Sequence, residues 1–241
     1  MIICANFAKK VPVEELFPLA KDLGFKYMQF SFVHFGINDD NPLINDTFLE
    51  KAAHLNDIAK NNSLTFPVIH GWLPSTEDSL KVLEIYLKIR EILGSSYLVI
   101  HPKDKINLDF SIKLIGNHRS KNVILIENVA EPEFKMGLTD VNQITKTGIN
   151  ICFDTCHALE KNLDIHRFLT KYKKSIKVVH LSDFDGEKRH LSIGSSKITT
   201  ELVNELPNDI IVVFEHKAKS PEEYRESYGT SLNRFREYRT D

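Results

Sequence analysis

Cysteine is scarce in this chain of 241 residues: Cys4, Cys152 and Cys156 are the only three. They are odd in number and form no C-x-x-C pair, which argues against a disulfide framework and fits a reducing cytoplasm. No apolar run approaches the roughly 18 residues that a membrane span requires. The apolar start, Met1-Ile2-Ile3-Cys4-Ala5-Asn6-Phe7, is too short for a signal peptide, and Lys9 and Lys10 follow it instead of preceding it. It reads as a first strand of a cytoplasmic protein. Neither sign of charge dominates: 31 Lys+Arg stand against 33 Asp+Glu, a net charge of −2. That balance argues against a broad basic footprint for nucleic acid, although not against a local basic site. Also missing are G-x-x-x-x-G-K-[ST], a G-x-G-x-x-G after a strand, H-E-x-x-H and G-x-S-x-G.

What is present is a rhythm. With 42% hydrophobic and 27% charged residues the composition is that of an ordinary globular protein. Short β-branched or aromatic runs alternate with stretches of helical period. The expected strands are Ile2–Asn6, Tyr27–Phe32, Thr65–His70, Tyr97–His101, Val123–Glu127, Ile149–Asp154, Ile176–Leu181 and Ile210–Glu215. Most are near-continuous apolar runs, as parallel strands covered on both faces should be. Between them, Leu49–Asn61 and Leu80–Leu93 carry helical apolar stripes, and Ser220-Pro221-Glu222-Glu223 opens a last helix. Eight strands and about eight helical segments in strict alternation imply βαβ units. The length suits one closed (β/α)₈ TIM barrel, a single domain over residues 1–241. No linker or low-complexity tract divides it.

The ends of the strands carry the chemistry. His70, His101, Glu127, Asp154, His180 and Glu215 each close a successive expected strand, at intervals of 31, 26, 27, 26 and 35 residues. Parallel barrel strands deliver their C-terminal ends to one mouth, where barrel enzymes place their active sites. One histidine at a strand end is commonly just a polar residue entering a loop, and Asp154 before Thr155 could simply cap a helix. Six in succession point to convergence. Three crowded carboxylates repel one another unless a cation neutralises them. Mixed carboxylate and imidazole donors suit Mn²⁺ or Zn²⁺, with Mg²⁺ or Co²⁺ as further options, better than Ca²⁺.

Further candidates lie nearby. His157 follows Asp154 by one helical turn, and His190 lies in the loop after the seventh strand. Gly194-Ser195-Ser196-Lys197 could present backbone N–H groups and a lysine to a phosphate, or be a plain turn. Trp72 could stack on a sugar ring or pack beneath a loop. Cys156 beside His157 is a candidate nucleophile, although metal ligands would surround it. His34, His54, His118, His166 and His216 lack strand-end placement and read as structural or solvated.

Ile126-Glu127-Asn128, Asp154-Thr155-Cys156-His157, His180-Leu181-Ser182-Asp183, His190-x-x-x-Gly194 and Phe214-Glu215 resemble the xylose-isomerase-like barrel superfamily. That superfamily holds sugar (phosphate) isomerases and epimerases as well as type IV apurinic endonucleases. In the epimerase branch the resemblance implies a metal on Glu127, Asp154, His180 and Glu215. The two glutamates would act there as acid and base through an enediolate, and His157 would orient a substrate oxygen. His70, Trp72, His101, Lys188, His190, Ser195 and Lys197 would then contact a small sugar or sugar phosphate. In the endonuclease branch the resemblance adds second-site ligands at His70, His101, His157 and His190, with abasic DNA as substrate. That branch has an aspartate where this chain has Lys188, a cation that would weaken a third metal but could hold a phosphate. It also has a Gly-rich first loop where this chain reads Ala5-Asn6-Phe7-Ala8-Lys9-Lys10. These departures tilt the sequence reading to a metal-dependent isomerase or epimerase, with the endonuclease as alternative and self-association left open.

Overall fold

Period-two alternation gives every strand of this chain one apolar face for its neighbours inside and one for the helices outside. The computed structural model describes residues 1–6, 13–32 and 47–239. In chain order the strands are β1 (Ile2–Asn6), β2 (Tyr27–Ser31), β3 (Thr65–Gly71), β4 (Tyr97–Ile100), β5 (Ile124–Glu127), β6 (Ala130–Glu131), β7 (Phe134–Lys135), β8 (Asn150–Asp154), β9 (Ile176–Leu181) and β10 (Ile211–Glu215). β6 and β7 form a small antiparallel hairpin. The other eight close a barrel in the order β1-β10-β9-β8-β5-β4-β3-β2. Every barrel pairing is parallel.

Helices return the chain from each strand top to the next strand bottom. They are α1 (Val13–Asp22), α2 (Thr47–Asn61), α3 (Ser79–Leu93), α4 (Lys105–Gly116), α5 (Leu138–Lys146), α6 (Thr155–Glu160), α7 (Ile165–Tyr172), α8 (Thr200–Glu205) and α9 (Pro221–Tyr238). Their limits follow local chemistry. Asp104 accepts the Asn107 N–H to start α4, Ser220 accepts that of Glu223 to start α9, and Gly94 ends α3 in the left-handed region at φ 66°.

The strands run close to the expected limits. Phe32 falls just beyond β2, Val123 lies in a short 3-10 turn, and His101 sits one residue past β4. His101 still donates its backbone N–H to Gly71 at 2.8 Å, so it stays tied to the strand layer. The hairpin β6–β7 and the doubling of the helical return after β8 into α6 and α7 go beyond the simple alternation.

Two apolar layers result. Outside, strand side chains such as Ile69, Ile100, Ile126 and Phe214 pack against the helices. Inside, Cys4, Val68, Val99, Leu125, Cys152, Val178 and Val213 fill the barrel. Each fully buried Val or Leu contributes about 1.5–3 kcal/mol, so the interior is a packed plug that floors the mouth. Two pairings slip by one residue. Between Tyr27–Thr65 and Gln29–Val68 the extra residue lies on β3, and between Ile151–Ile176 and Cys152–Val178 it lies on β9. At the top of β3, a Cβ on Gly71 would collide with the Phe32 ring, which stacks on Tyr86 at 3.9 Å. Glycine is what lets the chain pass there, directly after His70.

Among the described residues no helix is long and apolar enough to cross a membrane.

Candidate metal centre

The barrel interior dictates which residues meet. Val68, Val99, Leu125, Cys152, Val178 and Val213 all point inward. Two residues further along each strand path, the same parity turns His70, His101, Glu127, Asp154, His180 and Glu215 towards the axis. The six strand-end residues therefore occupy one layer above the plug. Asn6, paired with Glu215, and Gln29, two residues beyond inward-facing Tyr27, complete it on β1 and β2. Neither was evident as a site residue in the sequence. The available signal was parity: each is a polar residue in register with apolar inward neighbours.

One imidazole nitrogen sits at the focus of the carboxylates. His180 Nδ1 lies 2.8 Å from Glu215 Oε2, 3.0 Å from Glu127 Oε1 and 3.8 Å from Asp154 Oδ2. One donor atom from each of these four residues falls within 4.8 Å of all the others. Asp154 and His180 are fully buried, and Glu127 is 1% exposed. Among the described residues, the buried oxygens Asp154 Oδ2 and Glu215 Oε2 have no well-aligned hydrogen-bond donor, although Glu215 Oε2 lies against His180 Nδ1. Buried polar atoms are normally satisfied, so these two oxygens have lone pairs to offer a cation. Burial pushes the Asp154 carboxyl up. Burial acts the same way on Glu127, but the charges of His180 and His101 outweigh it and hold that carboxyl well below its usual range. His180 and His157 resist burial and are drawn up, with the surrounding carboxylates among the causes. The cluster binds positive charge. Four O/N donors with spare lone pairs fit a divalent ion such as Zn²⁺ or Mn²⁺.

Glu127 serves a second group. Its Oε2 accepts from His70 Nε2 at 2.8 Å, and it shares a 4.8 Å donor set with His101 and His157. His157 is held by two bonds: its backbone N–H donates to Asp154 Oδ1 at 2.7 Å, and its Nδ1–H donates to the Asn128 carbonyl at 2.8 Å. That tautomer leaves Nε2 as the free donor atom. Asn128 also spans to β8, giving its Nδ2–H to the Asp154 carbonyl and accepting the Asp154 N–H. The five imidazoles form an arc, His180–His70–His101–His157–His190, with successive ring centres 5.5–5.9 Å apart.

The sequence signature of the Xylose isomerase-like TIM barrel family matches residues 17–238. The chain belongs to that family. A protein of Thermosipho africanus named "Probable endonuclease 4" is 30% identical over 173 residues, 58% of this chain and 59% of the relative. The match thus spans about three fifths of that relative's length. Among solved structures, 3-keto-D-glucoside 4-epimerase from E. coli superposes with a TM-score of 0.71 at 16% identity, covering 98% of this chain and 99% of the other. Endonuclease IV from Thermus thermophilus gives a TM-score of 0.63 at 22% identity over 98% and 97%. At those identities the structures establish the family's fold in this chain. Its curated relatives are proteins named as endonuclease 4, while its structural neighbours include epimerases as well as an endonuclease IV.

The other expected site residues divide. His190 reaches the mouth in a left-handed conformation, φ 57°, with its ring 5.6 Å from His157 and its Nδ1 3.2 Å from Ser182 Oγ. Lys188 is exposed on a turn where its N–H donates to Asp185. Trp72 is half-buried against the main core, its carbonyl accepting from Tyr86, so packing accounts for it. The anion-cradle expectation for Ser195 and Lys197 is corrected. The backbone N–H groups of Ser196, Lys197 and Ile198 all donate to the buried Asp183 carboxylate at 2.8–3.2 Å. That carboxylate already fills the place an anion would take, and Lys197 Nζ lies over the Phe184 ring. The turn reading holds. Burial and the Asp154 charge push the Cys156 thiol up to about 12, which disfavours the thiolate a nucleophile needs.

Of the remaining histidines, His54 is exposed on α2, while His118 and His166 pair with Glu84 and Glu205. His216 is buried between Ser227 and Ser231. His34 lies outside the described residues, as do Phe7–Lys10.

Proposed function

We propose that this chain is a divalent-metal-dependent phosphodiesterase that cleaves DNA at abasic sites. The observation that carries the reading is Glu127, one buried carboxylate shared by a four-donor group and by an imidazole group on its other side. Proton transfer beside a sugar carbonyl needs the four-donor group with Glu127 and Glu215 as acid and base, and asks no more of the imidazole arc than contacts to the sugar. A phosphodiester has two charged oxygens and a leaving oxygen to hold, which is work for both groups. Zn²⁺ or Mn²⁺ held by Glu127, Asp154, His180 and Glu215 would supply Lewis-acid charge to the oxygens of the scissile phosphate.

The protein's own groups would do the rest. His157, drawn towards its cationic form by Asp154 and Glu127, offers N–H to a phosphate oxygen. His70 and His101 flank Glu127 and orient it. Lys188, exposed on the turn that leads to His190, can meet the DNA backbone. The likeness to proteins named as endonuclease 4 supports the same direction.

A second reading, the isomerase or epimerase of a small sugar or sugar phosphate, is favoured by Lys188. In place of a carboxylate, a lysine there suits a free phosphate monoester. One experiment separates the two. Wild-type protein and Glu127→Gln are incubated with a duplex carrying one abasic site and with Mn²⁺ or Zn²⁺. Strand cleavage that disappears in the variant and on chelation is the expected result. An intact duplex, with ketose epimerisation under the same conditions, would overturn it in favour of the second reading.

A further inference from the structure

His180 presents its other ring nitrogen to a residue outside the carboxylate cluster. Nε2 lies 2.9 Å from Gln29 Oε1, between two side chains that are both fully buried. Gln29 stands on β2, across the barrel mouth from β9. An amide oxygen only accepts, so this bond assigns a proton to Nε2 and leaves Nδ1, which faces Glu127, Asp154 and Glu215, as the ligand atom for a cation. The arrangement has a cost that packing alone does not explain: the Gln29 amide nitrogen is buried and has no hydrogen-bond partner among the described residues. A methionine of the same length would fill the space without a buried amide nitrogen, but would leave the His180 Nε2–H without its acceptor.

We infer that Gln29 is the positioning residue for the metal-binding histidine: its amide oxygen fixes the tautomer and ring orientation of His180 so that Nδ1 faces the cation site. The inference rests on the metal reading of the mouth, not on which substrate is cleaved.

The test uses the full chain, stripped of metal, titrated with Zn²⁺ against a chromophoric chelator, and melted without metal. Gln29→Met removes the acceptor and keeps the volume; Gln29→Glu keeps an acceptor at the same reach. The expected result is a Zn²⁺ affinity lowered about 10–100-fold in Gln29→Met and restored to within about threefold of wild type, or tighter, in Gln29→Glu. Metal-free Gln29→Met should melt close to wild type, because removal of the stranded amide offsets the acceptor lost to the His180 Nε2–H. Wild-type affinity in Gln29→Met would overturn the role, and so would an affinity loss that follows a lowered melting point of the metal-free variant. A wild-type protein that binds no Zn²⁺ would overturn the metal reading together with it.

Discussion

Asp154 shows how one side chain can serve fold and chemistry at once. Its Oδ1 accepts the His157 N–H and starts α6, while its Oδ2 has no hydrogen-bond partner among the described residues and faces His180. An amide can cap but makes a poor ligand. Asp154→Asn should therefore keep the cap, melt in metal-free form no lower than wild type because a buried charge is removed, and lose most of its metal-induced rise in melting point. Asp154→Ala should lose about 1 kcal/mol more from the missing cap. Calorimetry of both variants with and without Zn²⁺ checks this, and a metal response in Asp154→Asn equal to wild type would place the ion elsewhere. The sequence exposed Asp154 as a strand-end acid and as a cap candidate, since both are local properties. Gln29 was hidden because its meaning comes from His180, on the opposite side of the barrel.

At the scale of elements, a small ionic clamp gathers three loops at the mouth. Glu160 at the end of α6 is 2.6 Å from Arg189 Nε and 2.9 Å from Lys135 Nζ on β7, and Arg189 also donates to the Ala130 carbonyl on β6. The clamp holds the residue next to His190 while the helix that bears His157 is anchored from its other end. Burial acts to raise Glu160, but the hydrogen bonds and charges of Arg189 and Lys135 win, and its pKa is lowered. A depressed carboxylate stabilises the fold above its unfolded pKa of about 4.3 and stops doing so as pH falls through the lower folded value. Glu160→Gln should thus cost about 1–3 kcal/mol at neutral pH, with the gap to wild type closing below about pH 4. Urea unfolding across that range measures it; a gap of constant size would show that the charge is not what matters. Strands as short as Ala130–Glu131 and Phe134–Lys135 carry too few residues for a period, so the hairpin was illegible in sequence. So was Asp183, whose capture of three loop N–H groups depends on a chain reversal at Asp183–Leu191.

For the molecule as a whole, closure of the barrel brings three carboxylates onto one nitrogen, and that repulsion makes stability depend on cations. Zn²⁺ or Mn²⁺ at about 100 times its Kd should add about 2.7 kcal/mol. For a chain of this size that is several degrees in Tm, and a chelator should reverse it. A melting curve indifferent to both would mean that no ion binds. The barrel itself was legible because period-two apolar runs, helix caps and strand spacing are written within a few neighbouring residues. Placement at strand ends carried six of the eight polar residues of the mouth. Only tertiary structure decided that Glu127 faces two groups, that Asp183 fills the turn expected to hold an anion, and that Gln29 holds His180. These are relations between strands and loops far apart in the chain, set by closure and register, and no local pattern of residues encodes them.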